Sequence, residues 1–322
     1  MVTYHKKKTW KVVDLHCDTI SSQAAKRAGG RSAQLFCADG HVDLCRMRKG
    51  GYVLQVFALF VDRAQHADAY RFAKSLLNEF FREMEQNQQW ISQVRTYDEW
   101  KNNERQGKLS ALLSIEEGGV CEGNTAYLQE FYNAGVRMMT LTWNYANELG
   151  LPNGAFPDGP LTKLGHEFLE QMEEMGMLID VSHLSDQGFY DVLRRTRKPL
   201  LASHSNARAL CPHPRNLSDD MIGKIAERGG LIGVNFYPPF VEPDSRVMRL
   251  PALAAHIRHI ISVGGCGCVA LGTDFDGMSG ELAIADASMM QRLPEYLTCE
   301  FSEAEIDRLM WENAERFFKE NL

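Results

Sequence analysis

The chain has 322 residues, 44% of them hydrophobic and 24% charged, with a formal net charge of −7. This is ordinary globular composition, long enough for two domains or one large α/β barrel, and it argues against a disordered or collagen-like chain. The acidic balance gives nucleic-acid binding no support, because the one basic cluster, Lys6-Lys7-Lys8, is a short terminal run. In chain order, the first predicted element is a buried strand over Val12-Val13-Asp14-Leu15-His16-Cys17, followed by Asp18. Alternation along a strand puts His16 and Asp18 on one face and turns Cys17 to the other. Ser21–Met47 reads as a long connection with short helices. A second apolar run, Tyr52–Val61, precedes a helix expected over about 67–89. The third run, Leu109–Ile115, ends at Glu116-Glu117-Gly118-Gly119, and the next helix, Thr125–Asn133, stops at Gly135. Val136–Trp143 is the fourth run, and the helix Thr162–Met175 leads to the fifth, Met177–His183. Ser185 caps the following helix, and the sixth run is Leu200–Ser205. Ser218 opens a helix ahead of the seventh, Leu231–Phe236. A helix over Pro251–Val263 leads to the eighth, Val269–Phe275. Two helices finish the chain, Ala287–Leu297 and Ser302–Lys319, the last opening on the capping box Ser302/Glu305.

Eight short runs, apolar on both faces and separated by helical patterns, predict one (β/α)8 TIM barrel over residues 1–322. A doubly wound open sheet is the runner-up, weakened because no G-x-G-x-x-G follows the first strand. The polar residues 1–10 do not read as a signal peptide, and no uncharged apolar run reaches membrane-spanning length. The eight cysteines are scattered and are expected to be reduced; Cys266-Gly267-Cys268 lacks a second ligand pair at finger spacing. A cytoplasmic protein without membrane or nucleic-acid partners is therefore expected.

Active sites of such barrels lie at the C-terminal ends of the strands. Here those ends carry His16 and Asp18, Glu116 and Glu117, His183, His204, and Asp274 with Asp276. Five protein ligands exceed what one catalytic zinc uses and suit two cations about 3.5–4 Å apart sharing a carboxylate. A glutamate before Gly-Gly is suited to bridging, because glycine lets backbone crowd the site. Parity alone does not choose between Glu116 and Glu117. The other histidines (5, 41, 66, 166, 213, 256, 259) read as surface or packing residues.

The segments VVDLHCDT, EEGG, IDVSHLS, ASHSNAR, HPRNLSDDMI and LGTDFDG, in that order, resemble the zinc-dependent membrane (renal) dipeptidase family, peptidase family M19. The resemblance implies an amidohydrolase-like metal barrel that hydrolyses dipeptides with two Zn2+ ions. Carried over by motif, His16 and Asp18 hold the first zinc, His183 and His204 the second, and Glu117, directly before Gly118-Gly119, bridges them. Asp274 matches the acid/base, with Asp276 in support, and Arg215 matches the arginine that holds the substrate carboxylate. Mammalian members carry a substrate-contacting histidine after Leu-Thr, where this chain has Trp143; an indole packs on a substrate but cannot become a cation. The implied chemistry is attack by a zinc-activated hydroxide, with a small dipeptide as substrate and a homodimer as assembly. The alternatives are another amide or lactam hydrolase of the same metal type, or a metal-binding scaffold without catalysis.

Overall fold

Eight parallel strands form the barrel: β1 (Val12–Cys17), β2 (Tyr52–Phe60), β3 (Leu109–Glu116), β4 (Val136–Thr140), β5 (Leu178–Asp180), β6 (Leu201–Ala202), β7 (Leu231–Val234) and β8 (Val269–Leu271). Pairing runs β2-β1-β8-β7-β6-β5-β4-β3, and β3 returns to β2 through seven residue pairs, so the sheet closes. The computed structural model describes residues 8–31 and 33–322. His5, Lys6 and Lys7 lie outside the described residues. Lys8 is engaged, pairing with Glu303 (3.2 Å) and Asp307 (2.8 Å).

All eight predicted runs are strands, because each is buried on both faces. One cluster gathers Val13, Leu15, Leu54, Val56, Leu112, Met138, Leu178, Leu201, Leu231 and Ala270. Residues from eight different strands can touch one another only inside the barrel, so this cluster is the lumen. Phe317 and Phe318, from the C-terminal helix Asn313–Asn321, belong to the same cluster and pack with its lumen side chains. The opposite strand faces, such as Ala111, Leu113 and Ile115 of β3, pack in a second cluster with the surrounding helices.

The helices follow the expected order, including Ala69–Gln86, Lys163–Met175, Asp186–Arg195, Asp219–Glu227 and Leu250–Gly264. Two features between β2 and β3 have no counterpart in the expected elements. Ile91–Val94 pairs with the first half of β3, and Tyr97–Arg105 is a helix with its own capping box, Thr96/Glu99. The four-residue run ISQV is too short and too polar to carry a strand signal by periodicity. Near the C-terminus, Ala287–Leu297 divides into a 3-10 turn, Ala287–Met289, and a helix, Arg292–Leu297. The Ser302/Glu305 capping box forms, and the final helix contains a π segment, Arg308–Glu312. No helix among the described residues is long and apolar enough to cross a membrane.

Candidate active site

The site sits where the barrel strands end. β1 delivers His16 and Asp18, with a register irregularity between Asp14 and Cys17. Asp14 secures this end of the strand, accepting from the Thr273 N–H (2.9 Å) and hydroxyl (2.7 Å). Cys17 lies away from the site, buried in the outer cluster and accepting from the Thr19 hydroxyl. β3 delivers Glu116, and the loops after β5, β6 and β8 deliver His183, His204 and Asp274.

Glu116, not Glu117, meets the histidines, which corrects the expectation. Its carboxylate lies 3.2 Å from His16 Nε2, 3.0 Å from His183 Nε2 and 3.5 Å from His204 Nε2. The reason is parity: Leu112 faces the lumen, and positions 114 and 116 share that face. Glu117 has the opposite parity and a left-handed backbone, φ 89°. Its buried carboxylate turns outward and accepts from the N–H groups of Gly119 (2.8 Å) and Trp143 (2.9 Å). A methyl at Gly119 would sit 2.3 Å from Arg63 Nη1 and 2.4 Å from that carboxylate, so the second glycine makes room for both side chains.

His16 and His204 stack at 4.0 Å between ring centroids, and His183 Nε2 lies 3.0 Å from His204 Nε2. The imidazoles are oriented from behind: His183 Nδ1 donates to Asn144 Oδ1 (3.0 Å), and His204 Nδ1 pairs with the Ser203 hydroxyl (2.7 Å). Asp180 anchors Ser203 from beneath, accepting its N–H (2.9 Å) and its hydroxyl (2.5 Å). Asp274 accepts from Asn235 Nδ2 (3.0 Å). His183, Asp274 and Asp276 also have left-handed backbones, φ 66°, 63° and 67°. Such conformations in non-glycine residues cost about 1–3 kcal/mol each and persist where the surroundings over-determine them. Gly277 is required by this crowding, since a methyl there would lie 1.9 Å from Asp18 Oδ2 and 2.8 Å from Asp274 Oδ1.

Electrostatically the cluster is unbalanced. Burial pushes the Glu116 carboxyl up to about 7 and that of Asp274 up to about 6, with Asp18 adding to both shifts and His16 opposing them. Burial also depresses His183 and His204 well below the usual imidazole range, Arg215 and His16 adding to it. Buried polar atoms without hydrogen-bond partners include His16 Nε2 and Asp18 Oδ1. Two overlapping donor groups are within coordinating reach, His16/Glu116/His204 and His16/Asp18/Asp274. Imidazole nitrogens and carboxylate oxygens converging with unspent lone pairs are a donor set that fits divalent cations such as zinc.

Above the cluster opens a cavity of about 680 Å³, lined by Asp18, Glu116, His183 and Asp274 on its polar side. Its aromatic wall includes Phe60, Trp143, Tyr237 and Phe240, with Phe60 and Trp143 edge to face at 4.8 Å. Arg215 is outside this lining. It is buried, donating to Ser205 Oγ (3.2 Å) and the His204 carbonyl (3.0 Å), with no partner at Nε. Burial lowers its guanidinium to about 10. Asp276 also lines the cavity and is held there by accepting from the Thr19 hydroxyl (2.7 Å) and the His41 N–H (2.6 Å). His41 in turn accepts from the Asp276 N–H (2.9 Å), and His213 from the Arg215 N–H (3.1 Å). Two histidines read as surface or packing residues thus brace the site.

Residues 6–321 match the profile of the membrane dipeptidase family, peptidase family M19. The chain belongs to that family. It is 38% identical over 226 residues to an uncharacterized protein in the pqqA 5' region of Klebsiella pneumoniae, covering 67% of this chain and 83% of that one. It is 31% identical over 268 residues to the uncharacterized dipeptidase C965.12 of Schizosaccharomyces pombe, covering 77% of this chain and 64% of that protein. The chain therefore spans less than two thirds of that relative's length. Among solved structures, the metallopeptidase dipeptidase AC of family M19 superposes with a TM-score of 0.91 at 25% identity, over 98% of this chain and 99% of that one. A metallopeptidase from Rhodobacter sphaeroides, bound to a phosphinate mimic of the dipeptide L-Ala-D-Ala, superposes with a TM-score of 0.89 at 25% identity, over 98% and 100%. The (β/α)8 fold is thus that of the M19 dipeptidases.

Proposed function

We propose that this protein is a metal-dependent dipeptidase holding two zinc ions at the C-terminal end of its barrel. The observation that carries the reading is the convergence of three imidazoles on the buried Glu116 carboxylate. His16 and Asp18 would hold one cation, His183 and His204 the other, and Glu116 would take the bridging place first given to Glu117. When bound, the cations would lower the pKa of a water to about 7 and polarise the scissile carbonyl.

The remaining work belongs to this chain's own residues. Asp274 accepts the proton of the attacking water and delivers it to the leaving amine, a task suited to a carboxyl raised to about 6. Asn235 holds Asp274 at its other face, so one carboxylate oxygen stays turned to the reaction. The family resemblance gives Arg215 the substrate's carboxylate; it lies buried behind His204, outside the cavity lining, and among the described residues two of its five N–H groups are engaged, which leaves donors for that pairing. A carboxylate anchored one residue from the scissile bond would restrict turnover to dipeptides. Phe60 and Trp143 exclude water and pack on a substrate side chain.

The test is hydrolysis by purified, zinc-loaded protein of a dipeptide panel that includes D-residues at the C-terminal position, with N-acyl amino acids and lactams alongside. Dipeptide turnover lost on chelation and restored by two equivalents of zinc is expected. Turnover confined to N-acyl substrates or lactams, or none at all, would overturn the reading.

A further inference from the structure

The EEGG motif holds one carboxylate more than the metal cluster uses. Glu117 is buried and stands in a left-handed backbone that glycine would adopt freely, while His16, His183 and His204 are paired with Glu116 instead. A charged, strained residue kept in such a place calls for a physical reason, and its hydrogen bonds give one.

Among the described residues, every donor to the Glu117 side chain apart from Gly119 comes from the loop that follows β4. Glu117 Oε2 accepts the Trp143 N–H at 2.9 Å, and Oε1 accepts Asn147 Nδ2 at 2.5 Å. Asn147 organises the rest of that loop: it donates to the Leu141 carbonyl (2.8 Å) and accepts from the Leu149 N–H (2.8 Å). Arg63, 4.0 Å from Glu117, forms a bidentate pair with Glu148 (2.8 and 2.7 Å) and ties the loop after β2 to the same place. The segment held this way faces the cavity with two consecutive residues. Trp143 forms the aromatic wall, and Asn144 Oδ1 accepts from His183 Nδ1 at 3.0 Å. That bond keeps the proton on Nδ1 and leaves the Nε2 lone pair facing Glu116 and His204.

We infer that Glu117 is a positioning residue: its buried carboxylate holds the Trp143–Asn147 segment, and through Asn144 it fixes the tautomer and orientation of His183 and the placement of the Trp143 wall. The inference rests on the metal-site reading given under Proposed function. Mechanistically it joins β3 and the loop after β4 into one unit. The strand supplies Glu116 to the cluster, and the next residue supports the loop that orients His183.

Glu117→Gly is the informative variant, because glycine keeps the left-handed backbone without strain while deleting the tie. Glu117→Gly relieves the strained backbone but leaves the Gly119, Trp143 and Asn147 donors without their acceptor, so a modest fall in melting temperature is expected, and the measurements are made well below it. Zinc affinity, measured by chelator competition, and kcat/KM on a dipeptide are each expected to fall about 10–100-fold, as for other residues that orient metal ligands. Glu117→Gln, whose amide oxygen still serves Gly119 and Asn147, should recover part of both. In the metal-free protein with 15N-labelled histidine, the His183 imidazole should give a single Nδ1–H tautomer, and Glu117→Gly should mix the two tautomers. Unchanged zinc affinity and an unchanged His183 spectrum in Glu117→Gly would overturn the inference. So would a loss of activity that merely tracks a lowered melting temperature. Failure of the parent protein to turn over dipeptides would instead end the dipeptidase reading, and the imidazole spectrum would still decide the role of Glu117.

Discussion

At the scale of single residues, adjacent glutamates have divided their labour by side-chain parity alone. Glu116 continues the lumen face of β3, and Glu117, one position on, cannot. Glu116→Gln should therefore lose more than about 100-fold in kcat/KM, beyond the 10–100-fold expected where a residue only orients ligands. Elemental analysis should find less than the parent's zinc content in that variant. Asp274→Asn should keep full zinc content yet lose about 10²–10⁴-fold in kcat, the range of a general acid/base, as steady-state kinetics on metal-saturated protein would measure. Cys17, turned from the metal donors by alternation, is fully buried among apolar side chains. Cys17→Asn should bind zinc normally but lose about 1–3 kcal/mol of stability from an unsatisfied amide, seen in urea unfolding. A Cys17→Asn protein that no longer binds zinc would contradict that placement.

At the scale of elements, the strands were the most legible parts and the short outer pieces the least. Eight apolar runs became eight strands because burial on both faces leaves a strong compositional signal. Ile91–Val94 carries too few residues to give one, and it exists because the first half of β3 offers it an edge. The last helix was readable from its first turn, where Ser302 accepts from the Glu305 N–H and Glu305 returns the bond. Ser302→Ala is expected to cost about 0.5–2 kcal/mol and to leave kcat unchanged, since the cap lies outside the site; calorimetry and kinetics on one preparation would check both. Within β3 the two parities differ in composition, and only the closed barrel assigns one of them to the lumen. Ser110, Ser114 and Glu116 share one face, and Ala111, Leu113 and Ile115 form a uniformly apolar other face.

At the scale of the whole molecule, the cluster is a meeting of strands far apart in sequence: His16 from the first, Glu116 from the third, His183 and His204 from the fifth and sixth, and Asp274 from the eighth. Buried carboxylates within a few ångströms of each other cost folding free energy while charged, and a bound cation offsets that cost. Zinc should therefore stabilise the protein by mass action, by about 2.7 kcal/mol at a free concentration 100 times its Kd. A chelator should lower the melting temperature and added zinc restore it; a melting temperature indifferent to both would argue against a site formed only in the folded state.

The sequence by itself determined the eight-strand alternation and the types of residue placed at the strand ends. It also carried six ordered motifs that mark the family, because burial pattern and strand-end chemistry are local properties. The tertiary structure alone decided which of two neighbouring glutamates enters the lumen, that Asn144 and Ser203 orient the imidazoles, and that His41 and His213 brace the site. Those outcomes depend on closing the barrel. Only closure defines an inside for parity to refer to, and only closure brings the loops after β2, β4, β6 and β8 to one place.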